Sequence, residues 1–185
     1  MTNPVVVCEG TTKCQVFHGQ EKRRSDCTPF AIHVSDTVVM EYAGTYCDFD
    51  WAAVSAHPER QHHPRTSVLK FVSALEGAVD RVREQEAQPV FLSLPRIRVD
   101  LFLRFVSQDC DRENIMRWLG RDRGVVNEWR DRYNDILLVL ARDKQVPVID
   151  VASMLDEERF YAPDGLHLSA EGEAVVCDAI ARYRL

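Results

Sequence analysis

Apolar residues in this chain fall into two kinds of segment. Some are short unbroken runs, and others are longer stretches in which apolar positions recur every three or four residues, so strands and helices are both expected. Pro4-Val5-Val6-Val7-Cys8 is a continuous run ending in Glu9-Gly10, which suits a buried strand feeding a turn. Residues 18 to 29 are polar and charged and read as loop, and Phe30-Ala31-Ile32-His33-Val34 as a short strand. Thr37 to Ala43 is a stronger strand, closed by Gly44. Residues 44 to 66 read as one long connection containing His57-Pro58 and His62-His63-Pro64. Val68, Phe71, Val72, Leu75, Val79 and Val82 then predict an amphipathic helix over 66 to 86. Pro89 to Pro95 is the next buried strand, and residues 99 to 119 suit one or two short helices. Val125, Val126, Trp129, Tyr133, Ile136, Leu137 and Leu140 mark a longer helix, and Val146 to Asp150 a last strand. Ser169 is placed to cap a final helix carrying Ala174, Val175, Cys177, Ala179 and Ile180.

Strands alternating with helices predict βαβ units with right-handed crossovers. The expected fold is a single α/β domain spanning 1–185, a three-layer α/β/α sandwich around a mainly parallel sheet of four or five strands. In such sheets the working site lies at the carboxyl ends of the strands. Gly10, Gly44, Pro95 and Asp150 follow strands, so their loops are expected to meet on one edge.

Composition narrows the class. The chain has 185 residues, 45% hydrophobic and 28% charged, with a formal net charge of −6. That charge argues against nucleic acid or an anionic membrane as partner, since neither polyanion is attracted overall. No apolar run approaches the roughly eighteen residues of a membrane span. The start, Met1 to Val7, lacks both a basic segment and an apolar stretch of signal length, so a cytoplasmic location is expected. The six cysteines (Cys8, Cys14, Cys27, Cys47, Cys110 and Cys177) include no C-x-x-C pair. In a reducing compartment they read as small buried apolar residues rather than as disulfides or zinc ligands.

The segment richest in chemistry is Tyr161-Ala162-Pro163-Asp164-Gly165-Leu166-His167-Leu168-Ser169-Ala170-Glu171-Gly172. Asp164 and His167 stand three residues apart around a glycine that permits a tight turn. A carboxylate so placed can accept from imidazole Nδ1, fix the tautomer and stabilise the imidazolium, leaving the other nitrogen to act as a base. The plainer reading is a turn-capping aspartate beside a loop histidine whose hydrogen bonds are met locally.

Asp164, Gly165, His167, Leu168, Ser169 and Gly172 match the D-G-x-H-L-S-x-x-G block that closes the SGNH (GDSL-like) hydrolases, and the stretch resembles that superfamily, most of all its isoamyl-acetate esterase branch. The resemblance covers residues 89 to 185 and, more weakly, 37 to 88. It implies a flavodoxin-like α/β/α fold with Asp164 and His167 as catalytic residues. The front half departs from the pattern. Where G-D-S-x-T is expected, an ungapped register places Cys8-Glu9-Gly10-Thr11-Thr12, so Glu9 stands for the aspartate and Gly10 for the nucleophilic serine. A shifted register offers Thr12 as nucleophile. In place of G-x-N-D the chain has Gly44-Thr45-Tyr46-Cys47, with Asp48 one position further, so Tyr46 replaces the oxyanion-donating asparagine. The block between these two has no counterpart.

The leading expectation is hydrolysis or acyl transfer at an ester or acyl bond of a small-molecule substrate. His167 would be base and acid, oriented by Asp164, and the backbone N–H groups of Gly10 and Gly44 would face the oxyanion. Thr12, Cys47 and a bound water are alternative nucleophiles, with Cys8 and Cys14 flanking the first loop. The rival expectation is a non-hydrolytic descendant, either a small-molecule binding protein or an enzyme using His167 for proton transfer. Glu9, Asp48, Asp164 and His167 are chemically able to hold a metal, but their spacing does not demand one, and no cofactor or metal is expected. His57, His62 and His63 read as an exposed, proline-broken lid. Trp51, Trp118 and Trp129 read as packing residues, with Trp51 able to line a pocket. Arg23-Arg24 and Arg96-Ile97-Arg98 read as solvated loop, the second able to meet an anionic substrate group.

Overall fold

A computed structural model describes residues 4–8, 15–18, 21–24, 37–42 and 48–183, the first three stretches as backbone only. Four strands form one parallel sheet in the order β1 (Pro4–Cys8), β4 (Thr37–Glu41), β5 (Gln88–Leu92), β6 (Val148–Ile149). The register runs Val6 to Val39, Val39 to Val90 and Leu92 to Ile149.

Alternation along β4 and β5 sorts their side chains onto two faces. Val38, Met40 and Phe91 point one way and pack with Phe71, Leu75 and Val79 of α2 (Val68–Glu84) and Tyr133 and Leu137 of α5 (Val125–Asp143). Val39, Val90, Leu92 and Ile149 point the other way, against Ile180 of α6 (Ala170–Arg182) and against Phe160 and Tyr161. Two apolar faces covered by helices make the three-layer α/β/α sandwich that the alternating pattern predicts.

The helices end where their sequences say they should. Ser67 caps α2 by accepting from the Lys70 N–H, and Arg81 and Arg83 occupy its last turn, where cations favour the helix dipole. Arg83 also donates to the Lys144 carbonyl at 2.6 Å, tying the ends of α2 and α5 together. Tyr133, buried in mid-α5, donates to the Thr66 carbonyl.

A third apolar cluster lies beyond the carboxyl edge of the sheet. It joins α1 (Trp51–Ala56), α3 (Val99–Val106) and α4 (Arg112–Trp118) through Phe49, Trp51, Val54, Phe102, Leu103 and Ile115. Its rings meet edge to face: Phe49 and Trp118 at 5.0 Å, Trp51 and Phe102 at 5.4 Å, Phe49 and Trp129 at 5.7 Å. The three tryptophans are packing residues, as their sequence context suggests.

Two segments differ from expectation. Glu21–Arg24, read as loop, is strand β3, paired antiparallel with β2 (Gln15–His18) in a separate hairpin. Charge misled here, because the ladder consists of backbone hydrogen bonds and polarity excludes only burial on both faces. The connection 44 to 66 is also not all loop, since it contains α1. Asp50 caps that helix by accepting from Ala53 N–H at 3.0 Å, and Trp51 and Val54 bury one side. A helix of six residues is too short to display a period. The strand expected at Phe30 to Val34 lies outside the described residues. Among the described residues no helix is long and apolar enough to cross a membrane.

Candidate active site

Phe160 to Gly172 folds back on itself through its own hydrogen bonds. Ala162 N–H donates to the His167 carbonyl at 2.8 Å, Gly165 N–H to the Ala162 carbonyl at 2.9 Å, and Ser169 N–H to the Phe160 carbonyl at 2.9 Å. Tyr161 and Leu168 form an antiparallel bridge. The ends of this loop are thereby held together and its tip, 163 to 167, is presented at the carboxyl edge of the sheet.

Two glycines fit this loop between its neighbours. Gly165 has φ +67°, a left-handed conformation that side chains resist. A Cβ there would stand 2.5 Å from the Arg98 carbonyl and 2.7 Å from Leu101 Cβ, so the loop tip lies directly on the first turn of α3. Gly172, in the first turn of α6, comes so close that a Cβ would overlap the Phe160 carbonyl. Ser169 caps α6 by accepting from Gly172 N–H at 3.2 Å while its hydroxyl donates to the Arg159 carbonyl at 2.6 Å.

The loop places His167 Nδ1 2.7 Å from Asp164 Oδ2. The other oxygen, Oδ1, accepts from Leu166 N–H and His167 N–H, each at 2.9 Å. Burial pushes the Asp164 carboxyl up, but the imidazole and these two N–H groups outweigh it and hold the group below its ordinary value. The Asp164 side chain is 19% exposed and that of His167 69%. An anchored carboxylate thus orients an imidazole whose remaining face meets solvent. With Nδ1 protonated and donating to Asp164, Nε2 carries the lone pair that can take a proton.

Beside the loop lies a small cleft of about 20 Å³, room for little more than one water, that opens to solvent. Phe49, Trp51, Ile97, Phe102 and Val126 form apolar walls, Asp48 and Arg130 supply polar groups, and Leu166 closes it on the side of the acid/base loop. Asp48 accepts from the Trp51 indole N–H at 2.8 Å. Burial raises its carboxyl above the ordinary value, against the Trp51 hydrogen bond and the nearby Arg65 and Arg130 charges. Arg130 is only 5% exposed, and its Nε donates to the Pro95 carbonyl.

The segment after β5 is fixed to α5. Asn134 accepts from Leu94 N–H at 2.8 Å, and Asn127 both accepts from Ile97 N–H and donates to the Ile97 carbonyl. Ser93 donates to Asp150 at 2.8 Å and accepts from Ala152 N–H at 2.9 Å, which locks the ends of β5 and β6 together. Burial raises the Asp150 carboxyl, and its hydrogen bonds from Ser153, Ser93 and Ala152 more than reverse this and leave it lowered.

The structure brings Asp164 and His167 together. Thr12, Cys47, Gly10, Gly44, Glu9 and Tyr46 lie outside the described residues, as does Cys14, and for Cys8 only the backbone is described. Trp51 lines the cleft. His62 rests edge-on against Trp118 at 5.6 Å with Nε2 2.9 Å from the His57 carbonyl, while His57 and His63 are exposed. Arg96 forms a two-pronged pair with Asp131, and the Arg98 guanidinium sits 5.2 Å from the centre of the Tyr161 ring. Among the described residues no group of three His, Cys, Asp or Glu side chains is arranged to hold a metal ion.

Sequence reasoning passed over Arg130, Asn127, Asn134 and Ser93. Arg130 had a signal, because Val126, Arg130, Tyr133 and Leu137 follow the spacing of one helix face. An arginine inside that apolar stripe is a buried arginine.

No protein-family model matches the chain, and no curated protein matches it. Solved structures do. One is a candidate SGNH hydrolase from Slackia heliotrinireducens, 18% identical, with a TM-score of 0.51, covering 80% of this chain and 65% of that one. Another is the lipase/acylhydrolase from Enterococcus faecalis, 16% identical, with a TM-score of 0.46, covering 80% of this chain and 60% of that one. A third is the OSK domain of Drosophila Oskar, 12% identical with a TM-score of 0.47, covering 83% of this chain and 65% of that one. The chain therefore spans less than two thirds of the length of each of these proteins. The likeness to the Slackia protein is one of fold, and this chain has the α/β/α fold of the SGNH hydrolases.

Proposed function

We propose that the chain is a divergent hydrolase or acyl-transfer enzyme acting on an ester or acyl bond of a small substrate, with His167 as general base and acid. The observation carrying this reading is the 2.7 Å contact between His167 Nδ1 and an Asp164 carboxylate that is itself held by two backbone N–H groups. Such a pair fixes the imidazole's tautomer and orientation before substrate arrives, and each of these matters in general acid–base catalysis. The exposed ring at the carboxyl edge of a parallel sheet is where this fold class places its chemistry.

In this mechanism the nucleophile loses its proton to Nε2 while its oxygen or sulfur bonds to the carbonyl carbon. The same proton is then delivered to the departing alcohol as the tetrahedral intermediate collapses. Thr12, Cys47 and water are the nucleophiles the chain offers, and backbone N–H groups of Gly10 and Gly44 are the proposed oxyanion donors in place of an asparagine. Asp164 stays ionised throughout and offsets the charge on the imidazolium. Turnover of p-nitrophenyl acetate, compared between the parent chain and His167→Ala, tests the proposal.

A further inference from the structure

Tyr161 stands at the neck of the acid/base loop. Its backbone bridges Leu168, and the N–H of the next residue, Ala162, holds the His167 carbonyl at 2.8 Å. The ring is buried in one cluster with Leu92, Val151 and Leu155, and the Arg98 guanidinium lies over its face, 5.2 Å from the ring centre. The hydroxyl meets two backbone carbonyls, that of Arg96 at 2.5 Å and that of Leu155 at 3.0 Å. A carbonyl oxygen only accepts, so the phenol O–H is the donor. Burial pushes the phenol up, against the Arg98 and Arg130 charges, and keeps that proton in place.

The two carbonyls belong to different segments, one following β5 and the other following β6. The tip of the loop is tied to the first of these segments as well, since Arg98 N–H donates to the Gly165 carbonyl at 2.8 Å. A single tie would let the loop pivot, whereas ties at neck and tip fix its direction. Asp164 adjoins the tie at the tip. His167 lies on the arm that returns from the tip to the neck, where Leu168 pairs with Tyr161. The His167 side chain is 69% exposed, so the imidazole takes its aim from the loop beneath it rather than from packing around the ring. A misplacement of about 1 Å at a reacting group costs on the order of 10²-fold in rate.

We propose that Tyr161 is a positioning residue for His167, its phenol O–H fixing the loop neck to the Arg96 and Leu155 carbonyls and thereby aiming the imidazole. The effect on rate rests on the proposed acid/base function of His167. The effect on position does not, because the tautomer that Asp164 imposes on the ring can be read without substrate.

The test compares two tyrosines in the full chain. Tyr161→Phe keeps the ring and removes only the O–H. Tyr133→Phe is the matched control, since Tyr133 is also buried and donates to a backbone carbonyl, that of Thr66, on the other face of the sheet. The imidazole nitrogen resonances of His167, assigned by their loss in His167→Ala, report which ring nitrogen carries the proton when the ring is neutral. The parent should hold it on Nδ1. Tyr161→Phe should move part of the population to Nε2 and lower kcat on p-nitrophenyl acetate by about ten-fold or more, with KM little changed. Tyr133→Phe should alter neither, although both variants lose thermal stability. If Tyr161→Phe does not fold alone, it is made with Gly77→Ala, a mid-helix change whose nearest obstacle is the flexible Arg81 guanidinium at 3.4 Å. An unchanged tautomer or an unchanged kcat in folded Tyr161→Phe overturns the proposal, and so does the same response to Tyr133→Phe. A Tyr161→Phe chain that is unfolded in both backgrounds also overturns it, because the hydroxyl then serves the fold alone. A parent without turnover removes the proposed hydrolase function, and the tautomer comparison then decides whether Tyr161 positions the ring.

Discussion

The backbone N–H of Arg98 donates to the Gly165 carbonyl at 2.8 Å, and a Cβ on Gly165 would stand 2.5 Å from the Arg98 carbonyl. The loop carrying Asp164 and His167 is thus seated on α3, the same helix whose Phe102 lines the cleft. Gly165→Ala combines a left-handed backbone with overlap against main-chain atoms that cannot swing aside. A loss of about 2–4 kcal/mol is expected. Denaturant unfolding of the variant measures it, and an unchanged midpoint would show that this seat bears no strain.

The other end of the loop gives a sharper contrast. Gly172→Ala would drive a methyl group into the Phe160 carbonyl and push α6 away from the sheet, so destabilisation of about 2–4 kcal/mol is expected. Gly77 also sits in a helix, but its nearest obstacle is the Arg81 guanidinium at 3.4 Å, the far end of a flexible side chain. Gly77→Ala should therefore stabilise by about 0.5–1 kcal/mol. Thermal unfolding of the two variants side by side should move the midpoint in opposite directions, and a shift of the same sign in both would contradict the packing described.

Acid should weaken the fold through the carboxyls that the hydrogen bonds hold low. Asp164 and Asp150 both lie below their ordinary value in the folded chain. Their contribution is complete above the unfolded value, about 3.9, and is lost as pH falls through the folded-state values. Asp48 runs the other way, since burial raises its carboxyl and protonation favours the folded chain there. The thermal midpoints of the parent and Asp164→Asn, compared from pH 6 to pH 2.5, should converge toward the acid end. A gap that stays constant would remove Asp164 from the acid response.

The sandwich was legible because its elements obey simple periods. Val38 to Met40 and Val90 to Leu92 are short apolar runs of the kind that a strand buried on both faces carries, and Phe71, Leu75, Val79 and Val82 trace one helical stripe. The acid/base loop was legible because two glycines and a serine cap surround Asp164 and His167 at spacings that local hydrogen bonding demands. The β2–β3 hairpin was not, since Glu21 to Arg24 is charged and its pairing is written in the backbone. Nor was the cleft, because its walls come from segments far apart in sequence, Asp48 to Trp51, Ile97 to Phe102, Val126 to Arg130 and Leu166. Arg130 reads as a surface residue until its place in the α5 stripe is counted. Asn127 and Asn134 serve backbone groups of another segment, and no local pattern encodes that.

The acid/base role of His167 is tested most directly by steady-state hydrolysis of p-nitrophenyl acetate at neutral pH, with the parent chain and His167→Ala purified in parallel. Measurable turnover by the parent and a fall of kcat/KM by about 10²–10⁴-fold in the variant are predicted, at unchanged thermal stability. Equal turnover by the two proteins, or none by the parent, would contradict it.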